Sequence, residues 1–219
     1  MWHSSGDTLT VPGFPARVMV TTVASGDMKV RARREEMCSR HGIDPLTLTL
    51  CRQVHGAGTA LVTAACAGTE MEATDALVTG CRGISLGVFT ADCVPVFIAA
   101  HDGSCGGVIH AGWRGIDAGV VEAAVRQLSA ACRVHPSDMA AAIGPHIQPC
   151  CYVVGPELLQ RFDQPGPALD LAAAVASRLR REGVMNIDAC GRCTCHEADM
   201  FYSYRRDAAA ERMLSVIVL

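Results

Sequence analysis

Hydrophobic residues fall in short runs that Gly, Pro and Asp interrupt, a pattern typical of buried strands in a mixed α/β protein. Residues 83–100 are apolar on both faces, and we predict two buried strands there with an interruption near residues 92–95. Shorter apolar or β-branched runs predict further strands at residues 18–23, 46–50, 76–79, 106–110, 139–143, 201–204 and 213–219.

Helical spacing of apolar residues occurs between these strands. Residues 30–41 predict a helix that ends at Gly42, and apolar residues recur every three or four positions from 120 to 128. Further helices are predicted at residues 156–162, with Pro in the first turn, and 167–182. Because no Pro-, Gly- or Ser-rich linker and no repeat divides the chain, we predict one α/β domain over residues 1–219.

Composition and charge argue against nucleic-acid and membrane partners. The 219 residues are 50% hydrophobic and 19% charged, which fits one ordinary globular domain. Nineteen Lys and Arg against 22 Asp and Glu give a formal charge of -3 without a basic cluster, so we expect no nucleic-acid partner. The longest apolar runs are shorter than the roughly 20 residues of a membrane helix, and residues 1–10 lack a signal-peptide pattern. We therefore expect a cytoplasmic protein without a membrane partner.

Twelve cysteines are the outlier in composition. In a chain of this length without a signal peptide, we expect most of them to be reduced and to pack as small apolar residues. The Cys190-x-x-Cys193 step has the spacing of metal ligands, but the densest second pair is Cys150 and Cys151, and adjacent residues chelate poorly. The sequence therefore assigns no role to Cys193 or Cys195.

Three polar segments at the ends of apolar runs carry potential zinc ligands. They contain His55, Cys93 and His110, and two imidazoles with one thiolate match a catalytic zinc site that keeps one position open. No short metal motif links the three residues, so two other interpretations stay open. The histidines and the thiol are structural, or Cys93 is a nucleophile with His110 as its general base and no metal takes part.

Other polar residues near these segments are candidates for supporting roles. Arg114 follows Gly-Trp and is a candidate clamp for phosphate or carboxylate. Asp92 either orients an imidazole or forms a turn, and His146 lines a pocket or is a hydrogen-bonded loop residue. Motifs of the types GxxxxGK, GxGxxG, HExxH and GxSxG are absent, which excludes P-loop hydrolases and Rossmann dehydrogenases.

Six segments together resemble the laccase-domain, polyphenol-oxidase-like family and occur in that family's order. They are Gln-Val-His-Gly at 53–56, Thr-Asp-Ala-Leu-Val-Thr at 74–79, Thr-Ala-Asp-Cys-Val-Pro at 90–95, His-Ala-Gly-Trp-Arg-Gly at 110–115, Ile-Gly-Pro-His-Ile-Gln-Pro-Cys at 143–150 and Ser-Tyr-Arg-Arg-Asp at 203–207. The resemblance covers roughly residues 46–219. It implies a single-domain, layered mixed-sheet sandwich of the cysteine-hydrolase-like type, with a zinc ion held by His55, Cys93 and His110.

The resemblance also implies an activity on purine nucleosides. Members of the family convert adenosine, inosine and methylthioadenosine with phosphate to the free base and ribose 1-phosphate, and they deaminate adenosine. Copper is the alternative metal, but a multicopper oxidase uses paired H-x-H motifs, and the eight histidines of this chain form none. On this reading, the substrates are a purine nucleoside and phosphate.

Residue roles follow the same resemblance. We expect Asp92, Cys93 and Arg114 to be catalytic, with zinc activating water for deamination, Asp92 carrying a proton and Arg114 holding phosphate. We expect Gln53, Trp113, Arg114 and His146 to bind substrate.

The chain departs from the family pattern at three places. Residues 21–27 replace a segment that contains an arginine and form a shorter loop, Val153 stands where relatives often have Glu, and Ala-Ala-Glu-Arg at 209–212 replaces Thr-Gly-Arg. Three alternatives remain. The pair of Cys93 and His110 also suits a metal-free cysteine hydrolase or deamidase, some relatives are amidases that edit peptidoglycan precursors, and the shortened loop suits a weakly active regulatory member of the family. The sequence leaves the oligomeric state and the preferred substrate open.

Overall fold

The computed structural model describes residues 2–219, which form two mixed β-sheets with helices on their outer faces. Among these residues, the strands in chain order are β1 (His3–Ser5), β2 (Thr8–Thr10), β3 (Arg17–Thr21), β4 (Leu48–Cys51), β5 (Thr59–Leu61), β6 (Glu70–Met71), β7 (Ala76–Thr79), β8 (Ser85–Thr90), β9 (Val94–Ala100), β10 (Gly106–Ala111), β11 (Met139–Ile143), β12 (Asn186–Ala189) and β13 (Met213–Val218). The helices are α1 (Arg31–Arg40), α2 (Trp113–Asp117), α3 (Val120–Cys132), α4 (Pro156–Arg161), α5 (Leu171–Arg181) and α6 (Tyr204–Asp207).

The two sheets divide the strands in an order that differs from the chain order. The first sheet runs β1-β2-β3-β13-β8-β4-β6, and the second runs β12-β11-β9-β10-β7-β5. In the second sheet, β10 lies between β9 and β7 and is antiparallel to both. In this arrangement His110 pairs with Pro95, which lies at the start of β9 next to the turn from β8.

Three layers of buried side chains hold the sheets and helices together. Leu86 and Val88 of β8 pack against Leu77 and Phe97 of the second sheet, so the inner faces of the two sheets bury each other. The outer face of the second sheet packs under α3 and α5, and the outer face of the first sheet packs under α1. The predicted layered, mixed-sheet α/β fold is confirmed.

Most predicted elements are present with ends shifted by a few residues. Those at 76–79 and 139–143 have the predicted bounds, and the break in 83–100 is the turn between β8 and β9. The predicted strand at 201–204 is wrong, because Ser203 accepts a hydrogen bond from the Arg206 amide at 3.1 Å and starts α6. Short strands that carry little periodicity were not predicted: β1, β2, β5, β6 and β12.

Within residues 2–219, no helix combines the length and the apolar character that crossing a bilayer requires. The longest of the described helices is α3, and it is amphipathic, with Val121, Val125 and Leu128 buried against the second sheet.

The contact between the two sheets predicts where the fold is sensitive to truncation. Phe97→Ala leaves a cavity in the inner layer, since the ring is fully buried, and we expect a loss of about 3–5 kcal/mol in the free energy of unfolding. Leu46→Ala is the control, because this side chain is 77% exposed. Urea denaturation of both variants measures the difference. Equal losses in the two variants would contradict the assignment of Phe97 to the core.

Candidate metal centre and its cavity

Three residues from separate loops and strands bring their ligand atoms together. His55 lies between β4 and β5, Cys93 lies in the turn between β8 and β9, and His110 lies near the end of β10. One ring nitrogen of each histidine and the Cys93 Sγ all lie within 4.8 Å of one another. His110 is buried, Cys93 is half-buried and His55 is exposed. The three candidate ligands predicted from the sequence therefore form one cluster with an open side.

Asp75 holds His55 and His110 in position through hydrogen bonds. Its carboxylate is fully buried and accepts hydrogen bonds from the amides of Val54, His55 and Gly56 at 3.2, 3.0 and 2.8 Å. It also lies 2.8 Å from His110 Nδ1. With Nδ1 donating to Asp75, His110 presents Nε2 to the cluster, the usual arrangement of a metal-binding histidine. Burial raises the pKa of Asp75, but these hydrogen bonds hold it below the ordinary value.

The Cys93 thiol and the His110 ring shift each other's pKa. Burial alone raises the pKa of Cys93, but the charge of His110 and hydrogen bonds from His110 and His55 lower it to about 6. Burial lowers the pKa of His110, whereas Cys93 and Asp75 raise it to about 9. The thiolate is therefore the main form of Cys93 at neutral pH, and a thiolate is the form that serves as metal ligand or nucleophile.

Close packing around the cluster leaves little room for an extra carbon atom at Gly112. A Cβ at Gly112 would lie 3.1 Å from Cys93 Sγ and 3.1 Å from His55 Cδ2, so a larger residue between β10 and α2 would displace these side chains by a few tenths of an ångström. Two non-glycine residues here have a left-handed backbone, His55 with φ 59° and Asp92 with φ 87°. Such backbone conformations persist where the surrounding contacts impose them.

Distant segments hold the Asp92 turn. The Asp92 carboxylate accepts hydrogen bonds from Thr194 Oγ1 and from the Arg205 amide, both at 2.7 Å. Both carboxylate oxygens are therefore engaged by the fold, and these bonds hold the turn in which Cys93 follows Asp92. Proton transfer by Asp92 stays a prediction.

Gln53 is bound in a similar way. Its amide nitrogen donates to the Phe89 carbonyl, and its amide oxygen accepts from the Phe89 N–H, both at 2.8 Å. These two bonds fasten the His55 loop to β8. The Gln53 side chain lines the cavity described next, but its polar atoms already have partners.

A cavity of about 590 Å³ opens above the cluster, within the range of about 300–1,000 Å³ that is common for small-molecule sites. Arg114 stacks over the Trp113 ring at 4.4 Å, and Arg205 stacks over Tyr152 at 4.9 Å. The charged residues that line the cavity are Lys29, Arg52, Arg114, Arg205, Arg212, Glu70 and Asp92. The excess of cations, next to aromatic rings, suits an anionic ligand and a planar ring.

One predicted binding residue lies elsewhere. His146 is fully buried and does not line the cavity. Its Nδ1 lies 2.8 Å from the Gly144 carbonyl and its Nε2 lies 3.0 Å from Gln148 Nε2. The structure gives His146 the role of a hydrogen-bonded loop residue, the second of the two sequence interpretations.

Several residues of the site carried no predicted role. Asp75, Tyr152, Arg205 and Lys29 contact the cluster or line the cavity. An acidic residue at the start of the apolar run 76–79 was the available signal for Asp75, because a buried carboxylate needs partners. Lys29 and Tyr152 have no comparable signal in the sequence.

The donor set fits one metal ion. Two imidazole nitrogens and one thiolate are the ligand types of zinc and copper sites, and the exposed side of His55 leaves the cluster open to the cavity. The carboxylate of Asp75 supplies the outer hydrogen bond that such sites use to orient a histidine.

The chain is similar to known proteins both in sequence and in structure. A family model described as "Multi-copper polyphenol oxidoreductase laccase" matches residues 18–219. A purine nucleoside phosphorylase of Streptomyces coelicolor is 37% identical over 87% of this chain and 82% of the relative. One of Streptomyces griseus is 37% identical over 87% and 81%. The crystal structure of YlmD from Geobacillus stearothermophilus superposes with a TM-score of 0.90 at 28% identity, covering 99% of this chain and 97% of that chain.

Crowding at Gly112 predicts an effect on metal retention. Gly112→Ala adds a methyl group against Cys93 and His55, and we expect the affinity for zinc to fall by about tenfold, as when an outer contact of a metal site is lost. Gly155→Ala is the control, because a Cβ there meets no atom within 4 Å. Competition with a zinc chelator measures both. Unchanged zinc affinity in Gly112→Ala would show that the ligands tolerate the added carbon.

Proposed function

The chain belongs to the family described as multi-copper polyphenol oxidoreductase laccase, and we propose that it is a zinc-dependent purine nucleoside phosphorylase. One observation carries the proposal: a cation-rich cavity with aromatic walls lies directly above the cluster of His55, Cys93 and His110. The names of the Streptomyces relatives support the same reaction class. The substrates would be adenosine, inosine or methylthioadenosine together with phosphate.

The ligand chemistry favours zinc over copper. Catalytic zinc sites use three protein ligands and keep one position open, as the cluster here does on its cavity side. Electron-transfer copper sites with two histidines and one cysteine add a weak axial ligand, usually methionine. Among the described residues, no methionine lines the cavity. A zinc ion held by His55, Cys93 and His110 would supply a Lewis acid at the floor of the cavity.

Phosphate would lie beside Arg114. The Arg114 guanidinium stacks on Trp113 and lines the cavity, where its N–H groups would meet an anion. Arg205 and Arg212 also line the cavity and increase the positive potential there. A phosphate held in this way would be oriented toward the sugar, which reduces the entropy cost of the reaction.

In phosphorolysis, a phosphate oxygen bonds to the anomeric carbon of the ribose while the glycosidic carbon–nitrogen bond breaks. The electron pair of that bond leaves with the purine base, which takes up a proton, and ribose 1-phosphate is the second product. Trp113 and Tyr152 line the cavity together with the guanidinium groups that stack on them, and these walls would hold the planar base. Arg114 would bind the phosphate more tightly as charge redistributes in the transition state.

We also propose adenosine deamination as a second activity of this site. The observation that favours it is the open side of the His55, Cys93 and His110 cluster, because zinc deaminases combine such ligands with an activated water. In this reaction water adds at C6 of the purine, and the amino group leaves as ammonia.

A metal-free cysteine hydrolase is the second candidate function. It is favoured by the lowered pKa of Cys93 and the raised pKa of the neighbouring His110. Such a pair resembles an activated nucleophile with its acid–base partner. An editing amidase for peptidoglycan precursors and a weakly active regulatory protein have no comparable support from the cavity or from the relatives' names.

The role of Arg114 predicts a specific kinetic effect. In Arg114→Ala we expect KM for phosphate in inosine phosphorolysis to rise by about tenfold or more, because a charge-assisted contact to the anion is lost. Arg180→Ala is the matched control, since Arg180 is exposed on α5 and does not line the cavity. Initial rates across a phosphate series measure both variants. Unchanged phosphate saturation in Arg114→Ala would remove this residue from phosphate binding.

Removal of the metal separates the two candidate functions. We expect chelator-treated protein to lose inosine phosphorolysis and to regain it with zinc, because the cluster would have lost its ion. In the chelated protein we expect Cys93 to react readily with iodoacetamide near pH 7, since its pKa lies at about 6. Full phosphorolysis without metal would contradict the zinc requirement, and metal-free hydrolysis of an amide or ester that alkylation of Cys93 abolishes would instead establish the cysteine hydrolase.

A further inference from the structure

A second group of sulfur atoms lies outside the cavity. Cys150 and Cys151 follow β11 in the chain, and Cys193 follows β12. Their three Sγ atoms all lie within 4.8 Å of one another. This thiol cluster does not include Cys190, the residue whose spacing to Cys193 had resembled a metal motif. Two separate loops therefore meet through their cysteines.

We propose that Cys150, Cys151 and Cys193 form a second metal site that binds monovalent copper. The donor set contains three sulfur atoms and no imidazole or carboxylate, and thiolates select soft ions such as Cu(I). Zinc in structural sites takes four ligands almost without exception. The Cys195 thiol contacts Cys151 but lies outside the group of three whose sulfur atoms are all within 4.8 Å of one another, so the three thiols suit copper better. The site is distinct from the cluster of His55, Cys93 and His110, and the proposal does not depend on the proposed reaction.

The distances fit metal–sulfur bonding. Metal–thiolate bonds of about 2.3 Å separate the sulfur atoms of one site by about 3.8–4.0 Å. Adjacent residues usually chelate poorly, but the backbone here already holds the Sγ atoms of Cys150 and Cys151 3.7 Å apart. The side chain of Cys193 is buried while Cys150 is exposed, so an ion can enter from the Cys150 side. Little rearrangement is needed for binding.

Backbone N–H groups favour a thiolate at the buried position. The Gln148 amide donates to Cys193 Sγ at 3.4 Å. Burial raises the pKa of all three thiols, and only at Cys193 do hydrogen bonds from the amides of Gln148, His196 and Cys195 bring the pKa below the ordinary thiol value. These contacts are built into the loop and supply part of the charge stabilisation that a ligand thiolate requires.

The thiol cluster joins a segment that lines the cavity to a segment that holds the Asp92 turn. Tyr152 lines the cavity and follows Cys151, and Thr194 follows Cys193 and donates its hydroxyl proton to Asp92. A metal ion bound by the three thiols would fix these segments relative to each other. Copper binding is therefore expected to raise Tm even when the catalytic cluster is mutated.

Copper binding to the Cys93→Ser variant isolates the thiol cluster. We expect this variant, reduced and anaerobic, to bind one Cu(I) per chain in competition with a chromophoric Cu(I) chelator. X-ray absorption at the copper edge is expected to show about three sulfur neighbours and no imidazole. Adding Cys150→Ser and Cys151→Ser is expected to lower the Cu(I) affinity at least 100-fold. Adding Cys66→Ser and Cys81→Ser, which lie outside both clusters, should leave it unchanged.

Three results would overturn the proposal. The first is an equal loss of Cu(I) affinity in the two sets of serine variants, which would indicate non-specific thiol binding. The second is an absorption spectrum with nitrogen ligands, and the third is a site that takes zinc but not Cu(I). Turnover of nucleosides is not part of this test, so a failure of the copper site and a failure of the proposed phosphorylase activity are distinguishable.

Discussion

The buried carboxylate of Asp75 is the interaction on which the site depends. It binds three consecutive amides of the His55 loop and the Nδ1 of His110, so a single side chain sets the position of one ligand and the tautomer of another. A buried carboxylate without these partners would cost several kcal/mol. The loop and β10 are therefore locked together by the same group that prepares the histidine for a metal ion.

The third ligand is positioned by segments far away in the chain. Asp92 keeps a left-handed backbone before Cys93, and residues near the C-terminus bind its carboxylate through the Thr194 hydroxyl and the Arg205 amide. Arg205 also stacks on Tyr152 in the cavity wall. The support of Cys93 and the wall of the cavity are thus parts of one network, which explains why the candidate metal cluster and the cation-rich cavity lie together.

The sequence predicted the layered α/β fold and the residues of the candidate metal cluster more completely than the cavity. Apolar runs such as 76–79 and 139–143 are set by local pattern, and the segments around His55, Cys93 and His110 carry strong family motifs. The walls of the cavity come from loops whose neighbours depend on sheet order, so the stacking of Arg205 on Tyr152 has no local signal. The predicted strand at 201–204 failed because side-chain capping by Ser203 outweighs the aromatic pattern.

Zinc content of Asp75→Asn, measured together with inosine phosphorolysis, tests the central claim most directly. The amide has nearly the shape of the carboxylate but lacks its charge, and Asp102→Asn on an exposed turn is the control. The account predicts that Asp75→Asn stays folded, binds zinc at least tenfold more weakly and loses phosphorolysis in proportion. Wild-type zinc affinity and wild-type phosphorolysis in this variant would contradict the claim that Asp75 organises the site.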